Sequence, residues 1–486
     1  MRIHAIDLAI VLVYLLAVTA LGLWFRRGQN DVRDYFLGGR SAPWWALALS
    51  IVATETSTLT IVGTPAISYA TNLTFIQLVF GYLVGRVLIV LLFLPGYFRG
   101  DYFTAYALIE KRFGPRMRAV AASTFLVTRA IAEGVRVSAI ALVVSVVLGT
   151  SERAAVFIVM ALTIFYTFEG GMKAVIWTDV AQLLLYLTGS IVTLAFLLHA
   201  IPGGWGEVAR VSAAAGNKLH ALDFAFDLSR RYTFWSGVIG GAFLTMASHG
   251  TDQTIVQRLL AARSESDSRK ALLASGAVVF VQFSLFLIVG VLLFTYAQHS
   301  PLLSSGEPTD RVLPVFLARA MPPGLAGLLF ASMIAVAMSN ASGSLNSLAA
   351  SSILDFSVAA GLRSDPARFL ARSRFMTLVW GAVLLLFGLL PWRSLLETGL
   401  TVASFPLGSL LGLFLLGTLD RRATPAGACI GMFCGLGAII AVWKFTGVAY
   451  TWYVLLGSCV TFAAGALLSR LGTGNQVILQ TPKGPA

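Results

Sequence analysis

The sequence predicts an all-α polytopic membrane protein with about 13 transmembrane helices. Of its 486 residues, 57% are hydrophobic and only 12% are charged, which is far from the balance of a soluble domain. Its apolar runs repeatedly reach the roughly 17 to 25 residues that cross a bilayer as a helix. We predict a single transmembrane domain, 1–486, with these approximate spans: 4–25, 43–70, 74–98, 119–148, 154–169, 174–200, 233–257, 270–297, 323–352, 373–391, 394–418, 424–445 and 449–469.

The loops between these spans predict the orientation. One alternating set of loops, together with the C-terminal tail, holds 22 of the 35 Lys and Arg residues. Positively charged loops stay on the cytoplasmic side, so we expect the N-terminus outside and the C-terminus in the cytoplasm of the plasma (inner) membrane. The first span lacks a small-residue cleavage site and is expected to remain as an anchor. The net charge of +13 does not indicate nucleic-acid binding, because no basic arm or aromatic platform is present.

The second span is too polar to serve as packing alone. The middle of its stretch 50–69 holds Thr54, Glu55, Thr56, Ser57, Thr58 and Thr60, followed by Gly63 and Pro65. Gly and Pro weaken a regular helix, and in lipid an irregular backbone survives only beside protein or a polar cavity. A carboxylate at that depth indicates a functional site. We predict a broken helix whose unwound middle binds something small and polar.

The seventh span, 233–257, is interrupted in a similar way. Gly250 lies beside a polar cluster that includes His249 and Asp252. Spans two and seven are five apart, so their orientations are opposite, and spans 2–6 and 7–11 could form two inverted repeats. Interrupted helices at matching positions of two halves are typical of a binding site at the membrane midplane.

The ninth span carries a row of small and polar residues at helical spacing. Val336, Ser339, Asn340, Gly343 and Ser347 lie on one face. One interpretation is a packing face with interhelical hydrogen bonds. The other is a set of oxygen ligands for a hard cation such as sodium, completed by backbone carbonyls where a neighbouring helix unwinds.

Five separated motifs occur along the chain. They are Asp34-Tyr-Phe-Leu-Gly-Gly-Arg40, Arg112-Phe-Gly114, Tyr166-Thr-x-x-Gly170-Gly171-x-x-Ala174-Val175-x-Trp177-Thr178-Asp179-x-x-Gln182, Asp252-Gln253-x-Ile-Val-Gln257-Arg258 and Leu411-Gly-x-Phe-x-Leu-Gly417. These motifs resemble those of the solute:sodium symporter family, and they occur in the family order. The resemblance covers nearly the whole chain and implies a leucine-transporter-type fold with a 5+5 inverted repeat. The implied parts are an accessory helix (4–25), repeat 1 (43–200), repeat 2 (233–418) and two extra C-terminal helices (424–469).

The resemblance also implies a sodium site built from backbone carbonyls of the first and eighth core helices and two side chains of the eighth. The matching positions are Ala53, Thr56, Val336, Ser339 and Asn340. Asn340 departs from the family's usual Ser or Thr. A second sodium site would use Asp179 and Ser342, but Gly343 replaces a hydroxyl residue there, so one sodium ion is preferred over two. Asp179 alternatively pairs with a neighbouring helix.

Solute contacts in this fold come from the unwound core helices and their neighbours. The positions so nominated are Glu55, Ser57, Thr60, Phe75, Val79, Thr245, Ser248, His249 and Thr398. Glu55 either binds hydroxyl or amine groups of the solute or bonds only to protein groups. His249 likewise either contacts solute or is structural.

The fourth span holds three charged residues on one helical face. Arg129, Glu133 and Arg136 follow an i, i+4, i+7 spacing. They either neutralise one another against another helix or leave a net positive charge that attracts a carboxylate solute, in which case Arg136 contacts it.

These observations predict a sodium-coupled symporter that imports a small polar solute by alternating access. The solute is either sugar- or polyol-like, or a zwitterion or carboxylate. A proton-coupled symporter using Glu55, His249 or Asp179 is the first alternative, and a solute sensor or channel is the second. We find no HExxH motif or nucleophile–base set, so an enzyme is not expected. The expected partners are the solute and the lipid bilayer, with the protein a monomer or a weak oligomer.

Overall fold

A computed structural model describes residues 4–24, 32–100, 102–148, 150–304, 306–359, 366–390 and 395–471. Within these ranges the chain is helical, and strand geometry is limited to one bridge between Ala42 and Ala262. The α-helices, numbered in chain order, are α1 (Ala5–Trp24), α2 (Val32–Leu37), α3 (Trp44–Glu55), α4 (Thr58–Ala70), α5 (Ile76–Leu92), α6 (Leu94–Phe98), α7 (Tyr106–Phe113), α8 (Pro115–Leu148), α9 (Glu152–Ala200), α10 (Gly204–Ala214), α11 (Gly241–Gly250), α12 (Gln253–Leu260), α13 (Glu265–His299), α14 (Val312–Ala320), α15 (Leu325–Ala359), α16 (Pro366–Gly388), α17 (Leu395–Leu419), α18 (Pro425–Phe445) and α19 (Tyr453–Leu471).

Helix length and composition identify the membrane body. Within the described residues, six helices are long and apolar enough to cross a membrane, and the bent pair α3–α4 adds a seventh. Several shorter apolar helices lie among them, including α1 and α5. The predicted spans 154–169 and 174–200 both fall in α9, which is kinked at Gly171 with φ 52° and ψ −153°. A side chain would strain that backbone, so glycine permits the bend between the two spans.

Both predicted helix interruptions are present. The axes of α3 and α4 meet at 67°, with Thr56 and Ser57 between the helices. The second interruption separates α11 from α12 at Thr251 and Asp252. The Asp252 side chain accepts a 2.8 Å hydrogen bond from the backbone N–H of Thr254 and so caps α12. The prediction of two broken helices is therefore confirmed, although Gly63 and Pro65 lie inside the continuous helix α4 and the break falls at the polar residues before it.

Glycines bring α5 into backbone contact with α11. A Cβ atom built on Gly81 would lie 2.2 Å from the carbonyl oxygen of Gly237, and one on Gly85 would lie 2.7 Å from Cβ of Thr245. No larger residue fits at either position without moving a helix. This close approach carries Arg86, the next residue of α5, to the end of α11 beside His249.

Candidate functional site

The break between α3 and α4 is closed by a capping box. Ser57 Oγ accepts a hydrogen bond from the backbone N–H of Thr60 at 3.3 Å, and Thr60 Oγ1 accepts one from the N–H of Ser57 at 3.3 Å. In a continuous helix the N–H of Ser57 would donate to the carbonyl of Ala53. The capping box uses that N–H group, so the carbonyl of Ala53 does not receive the hydrogen bond that a continuous helix would supply. The two predicted solute residues Ser57 and Thr60 thus begin α4 as well as facing the break.

Asn340 joins the break to α15. Its Nδ2 atom donates to the carbonyl oxygen of Thr56 and, at 3.2 Å, to that of Val336. The predicted sodium ligands Thr56, Val336 and Asn340 therefore meet at one point, and two carbonyl oxygens face that point. The Thr56 carbonyl lies in the break between α3 and α4, and a carbonyl oxygen outside a regular helix suits a hard cation, so this part of the predicted set fits sodium. The carbonyl of Ala53 lies at the adjacent, buried end of α3.

Thr56 is held in place from a third direction. Its hydroxyl donates to the carbonyl of Val52 at 2.8 Å and accepts from Nε2 of Gln282 at 2.7 Å. Tyr186 in turn donates to Oε1 of Gln282 at 3.3 Å. The unwound segment is therefore fixed by α13 and α9 as well as by α15. Amide and phenol groups inside apolar spans were the available sequence signal for Gln282 and Tyr186.

Ser339, the neighbour of Asn340, is directed to a different partner. Its hydroxyl donates to Asp179 Oδ1 at 2.6 Å. Asp179 is fully buried and also accepts from Ser50 Oγ at 2.5 Å and from Arg258 Nη2 at 2.8 Å. Ser342 instead donates to the carbonyl of Ser339 at 3.0 Å, within its own helix. The two predicted sodium sites are thus adjacent and linked through Ser339.

Arg258 explains the glycine that interrupts the second predicted site. A Cβ atom on Gly343 would lie 2.8 Å from Arg258 Nη2. The guanidinium therefore lies where a side chain at position 343 would be. It places a fixed positive charge beside Asp179. Arg258 was named from the sequence only as part of a motif, and this contact was not predicted.

Glu55 is paired with protein groups. Its carboxylate forms a salt bridge with Arg86 Nη2 and lies 3.3 Å from His249 Nε2. Arg86 is buried and also donates to Ser275 Oγ at 3.1 Å. His249 Nδ1 lies 2.9 Å from Ser248 Oγ. The structure thus brings together three predicted solute residues, and the charge of Glu55 is balanced by Arg86, whose role the sequence prediction missed.

The remaining predicted solute residues are spread more widely. Phe75 stacks on Phe283, with ring centroids 5.6 Å apart. Val79 is fully buried in the core, and Thr245 packs against α5. Thr398 belongs to α17, but its side chain lies outside the described part of the chain.

The charged face of α8 packs against α15. Glu133 Oε2 lies 3.2 Å from Arg136 Nη1 and 3.6 Å from Arg129 Nη2, and it accepts a 2.9 Å hydrogen bond from Ser344 Oγ. Glu133 and Arg136 also line a narrow cavity together with Asn340 and Thr58. Arg136 therefore lies next to the sodium-site residues rather than in contact with Glu55.

Comparison with known proteins identifies the family to which this site belongs. The model of the sodium:solute symporter family matches residues 35–435. The chain belongs to the sodium:solute symporter family. It is 32% identical to the human sodium/iodide cotransporter over 460 residues, covering 92% of this chain and 70% of that protein. It is 28% identical to the sodium/sialic acid symporter SiaT of Proteus mirabilis over 487 residues, covering 96% and 95%.

Solved structures agree with this assignment. The structure of a substrate-bound, outward-open Na+-coupled sialic acid symporter matches this chain with a TM-score of 0.89 at 27% identity, covering 96% of this chain and 98% of that one. Mhp1, a nucleobase-cation-symport-1 transporter, matches with a TM-score of 0.56 at 13% identity and shows similarity of the fold alone. The predicted family, the sodium coupling and the helical transporter fold are confirmed. The protein is a sodium-coupled membrane transporter and not an enzyme.

Proposed function

We propose that this symporter imports a small organic anion bearing a carboxylate, driven by the inward sodium gradient. The observation that carries the proposal is the balance of buried charge around the helix break. Glu55 is paired with Arg86, so this pair adds no net charge. Arg129, Glu133 and Arg136 together carry a net charge of +1 beside the break. A buried positive charge is costly unless a counter-ion compensates it, and a monoanionic solute would do so.

The relatives support this choice of charge. The human relative is a sodium/iodide cotransporter, the Proteus mirabilis relative is a sialic acid symporter, and sodium-coupled monocarboxylate transporter 2 of Mus musculus is 27% identical over 462 residues, covering 91% of this chain and 71% of that protein. Iodide, sialic acid and monocarboxylates are all anions at neutral pH. A neutral sugar or polyol and a zwitterion are the remaining alternatives from the sequence prediction.

In the proposed transport cycle, sodium binds among the oxygens of Ala53, Thr56, Val336, Ser339 and Asn340 and stabilises the break between α3 and α4. Solute binds at the break, near Glu55, Ser57, Thr60, Ser248 and His249, and its carboxylate is drawn toward the side of the break where Arg136 lies. Each ligand improves the binding of the other, as symport requires. Rocking of the two halves around this site then exposes both ligands to the cytoplasm.

We further propose one sodium ion per cycle. The Arg258 guanidinium contacts Asp179 at 2.8 Å and takes the space of a side chain at position 343. We also propose the layout of 13 spans with a 5+5 inverted repeat and the N-terminus outside. The support is that the two broken helices, α3–α4 and α11–α12, lie five predicted spans apart.

Uptake into proteoliposomes with matched pairs of solutes would test the proposed solute class. In each pair a carboxylate of the acid is replaced by a hydroxymethyl group in the neutral partner. The pairs are lactate with propane-1,2-diol and glucuronate with glucose. We expect sodium-driven accumulation of at least one acid and not of its neutral partner, and loss of that preference in R136M. Accumulation of the neutral partners would contradict the proposed charge. Accumulation that follows a pH gradient and ignores sodium would contradict the coupling ion.

A further inference from the structure

The amide of Asn340 lies where the predicted sodium ligands converge. Its nitrogen donates to the carbonyl oxygens of Thr56 and Val336, which are two of the five predicted ligands. An amide NH2 group and a sodium ion both carry positive charge toward a carbonyl oxygen, so they compete for the same position. In this structure Asn340 Nδ2 therefore takes the electrostatic role of the ion.

The other end of the same amide is unsatisfied. Asn340 Oδ1 is buried and accepts no hydrogen bond from the described residues. Thr58 lines the same narrow cavity as Asn340, and its Oγ1 atom is also buried without a hydrogen-bond partner among those residues. Buried polar atoms nearly always find partners, so two unsatisfied atoms at one cavity require a water, an ion or a different side-chain orientation to satisfy them. Glu133 and Arg136 line the same cavity.

A rotation of the amide by about 180° about its terminal torsion would reverse both roles, because the two ends of an Asn amide have nearly the same shape. Oδ1 would then face the carbonyls of Thr56 and Val336, an arrangement that is favourable only with a cation between the three oxygens. Nδ2 would face the cavity, where Thr58 Oγ1 and the Glu133 carboxylate are acceptors.

We propose that Asn340 is a two-state amide that links sodium binding to anion binding in this symporter. Without sodium, the NH2 group binds the carbonyl oxygens of Thr56 and Val336 and so ties the α3–α4 break to α15. The amide oxygen then faces the cavity beside Arg136, where its partial negative charge disfavours a carboxylate. With sodium, the amide rotates, Oδ1 becomes a ligand, and the NH2 group faces the cavity, where the positive end of the amide dipole favours an anion bound near Arg136 electrostatically. The proposal rests on the sodium site and anionic solute proposed above.

The serine variant N340S isolates the amide's effect. A hydroxyl still offers an oxygen to sodium but removes the NH2 group that competes with the ion. Thermal unfolding of the purified protein is measured in choline chloride with increasing sodium chloride at constant ionic strength, without solute. Since two neutral hydrogen bonds must be replaced in the wild type, we expect half-maximal stabilisation of N340S at about tenfold lower sodium. In sodium-free buffer N340S should unfold at a lower temperature than the wild type.

Two further variants complete the design. N340D keeps the shape of the side chain but its ionised carboxylate cannot donate, so it should also need less sodium than the wild type. Asn346 is a matched control, because it is a buried Asn on the same helix whose Oδ1 accepts from Gln257 Nε2 at 2.6 Å. N346S removes an amide without touching the carbonyls of Thr56 or Val336, and it should leave the half-maximal sodium concentration unchanged.

Anion binding gives an independent readout. Sodium should tighten binding of the transported carboxylate in the wild type, and this effect should shrink at least fivefold in N340S. An unchanged or higher sodium requirement in both N340S and N340D would overturn the two-state amide. These sodium titrations contain no solute, so a neutral solute in the uptake assay would contradict the proposed function without changing their result.

Discussion

Asp179 and Arg258 form a buried ion pair, with 2.8 Å between Oδ2 of the carboxylate and Nη2 of the guanidinium. The pair joins α9 to α12, and Ser50 of α3 bonds to both partners, with Arg258 Nε donating to Ser50 Oγ at 2.8 Å. The C-terminal half of one broken helix is thereby tied to the N-terminal half of the other. Removal of either charge leaves its partner buried and uncompensated.

For that reason we predict that D179N destabilises the symporter by roughly 3–5 kcal/mol and that R258M does the same. The double variant D179N/R258M removes both charges and should regain most of the lost stability. Thermal unfolding in detergent measures the three variants. E265Q, which removes the exposed pair between Glu265 and Arg269, is the control and should change stability by less than about 1 kcal/mol. Equal losses in single and double variants would argue against charge pairing as the cause.

Glu55 and Arg86 should behave as a second coupled pair. We predict that E55Q and R86Q each lower the unfolding temperature, because each leaves one buried charge without its partner. The combination E55Q/R86Q should be more stable than R86Q alone. Size-exclusion chromatography after heating measures the fraction that remains folded. If E55Q instead kept full stability and lost only solute affinity, Glu55 would be a solute ligand first and a partner of Arg86 second.

Ser339 and Ser342 offer a matched comparison on one helix. Ser339 reaches Asp179 and is a proposed sodium ligand, whereas Ser342 bonds to a carbonyl of its own helix. We predict that S339A raises the sodium concentration for half-maximal uptake by about tenfold, comparable to the loss of one hydrogen bond to a charged group. The solute preference should not change. S342A should raise the sodium requirement less than about twofold, and a large effect of S342A would favour a second sodium ion.

Lys218, in the segment that follows α10, caps the end of α4. Its Nζ atom donates to the carbonyls of Tyr69 at 2.7 Å and Thr71 at 3.0 Å and lies 4.0 Å from the ring centroid of Phe294. A cation at a helix C-terminus satisfies carbonyls that have no partner in the helix. Burial lowers the pKa of this lysine from its ordinary value of 10.5.

We therefore predict that K218M, which keeps the apolar stem, destabilises the protein by about 1–3 kcal/mol through the lost charge-assisted bonds. Hydrogen exchange of α4 should increase near Tyr69 and not at the capping box of Ser57. The exposed residue Arg210 supplies the control R210M, which should leave exchange in α4 unchanged. Unchanged exchange at the end of α4 in K218M would show that the cap contributes little.

Sequence patterns were sufficient for the membrane class, the two broken helices and the family. Gly250 and the polar residues around Glu55 and His249 mark the interruptions locally, because backbone irregularity and polarity inside an apolar span are properties of a few adjacent residues. Gly63 and Pro65, by contrast, lie inside α4. The resemblance to the family also predicted that Thr56, Val336 and Asn340 lie close together.

Tertiary structure decided which groups satisfy one another. Glu55, Arg86, Asp179 and Arg258 are visible in the sequence as charged residues within apolar spans. Which of them pair depends on how the helices pack, because Glu55 and Arg86 are separated by 31 positions and Asp179 and Arg258 by 79. The same holds for Asn340, whose residue type is visible in the sequence while the direction of its amide is not. Periodicity determines which face of a helix a residue occupies, but hydrogen bonds are directional and short, so the partner across the interface is settled only when the helices pack.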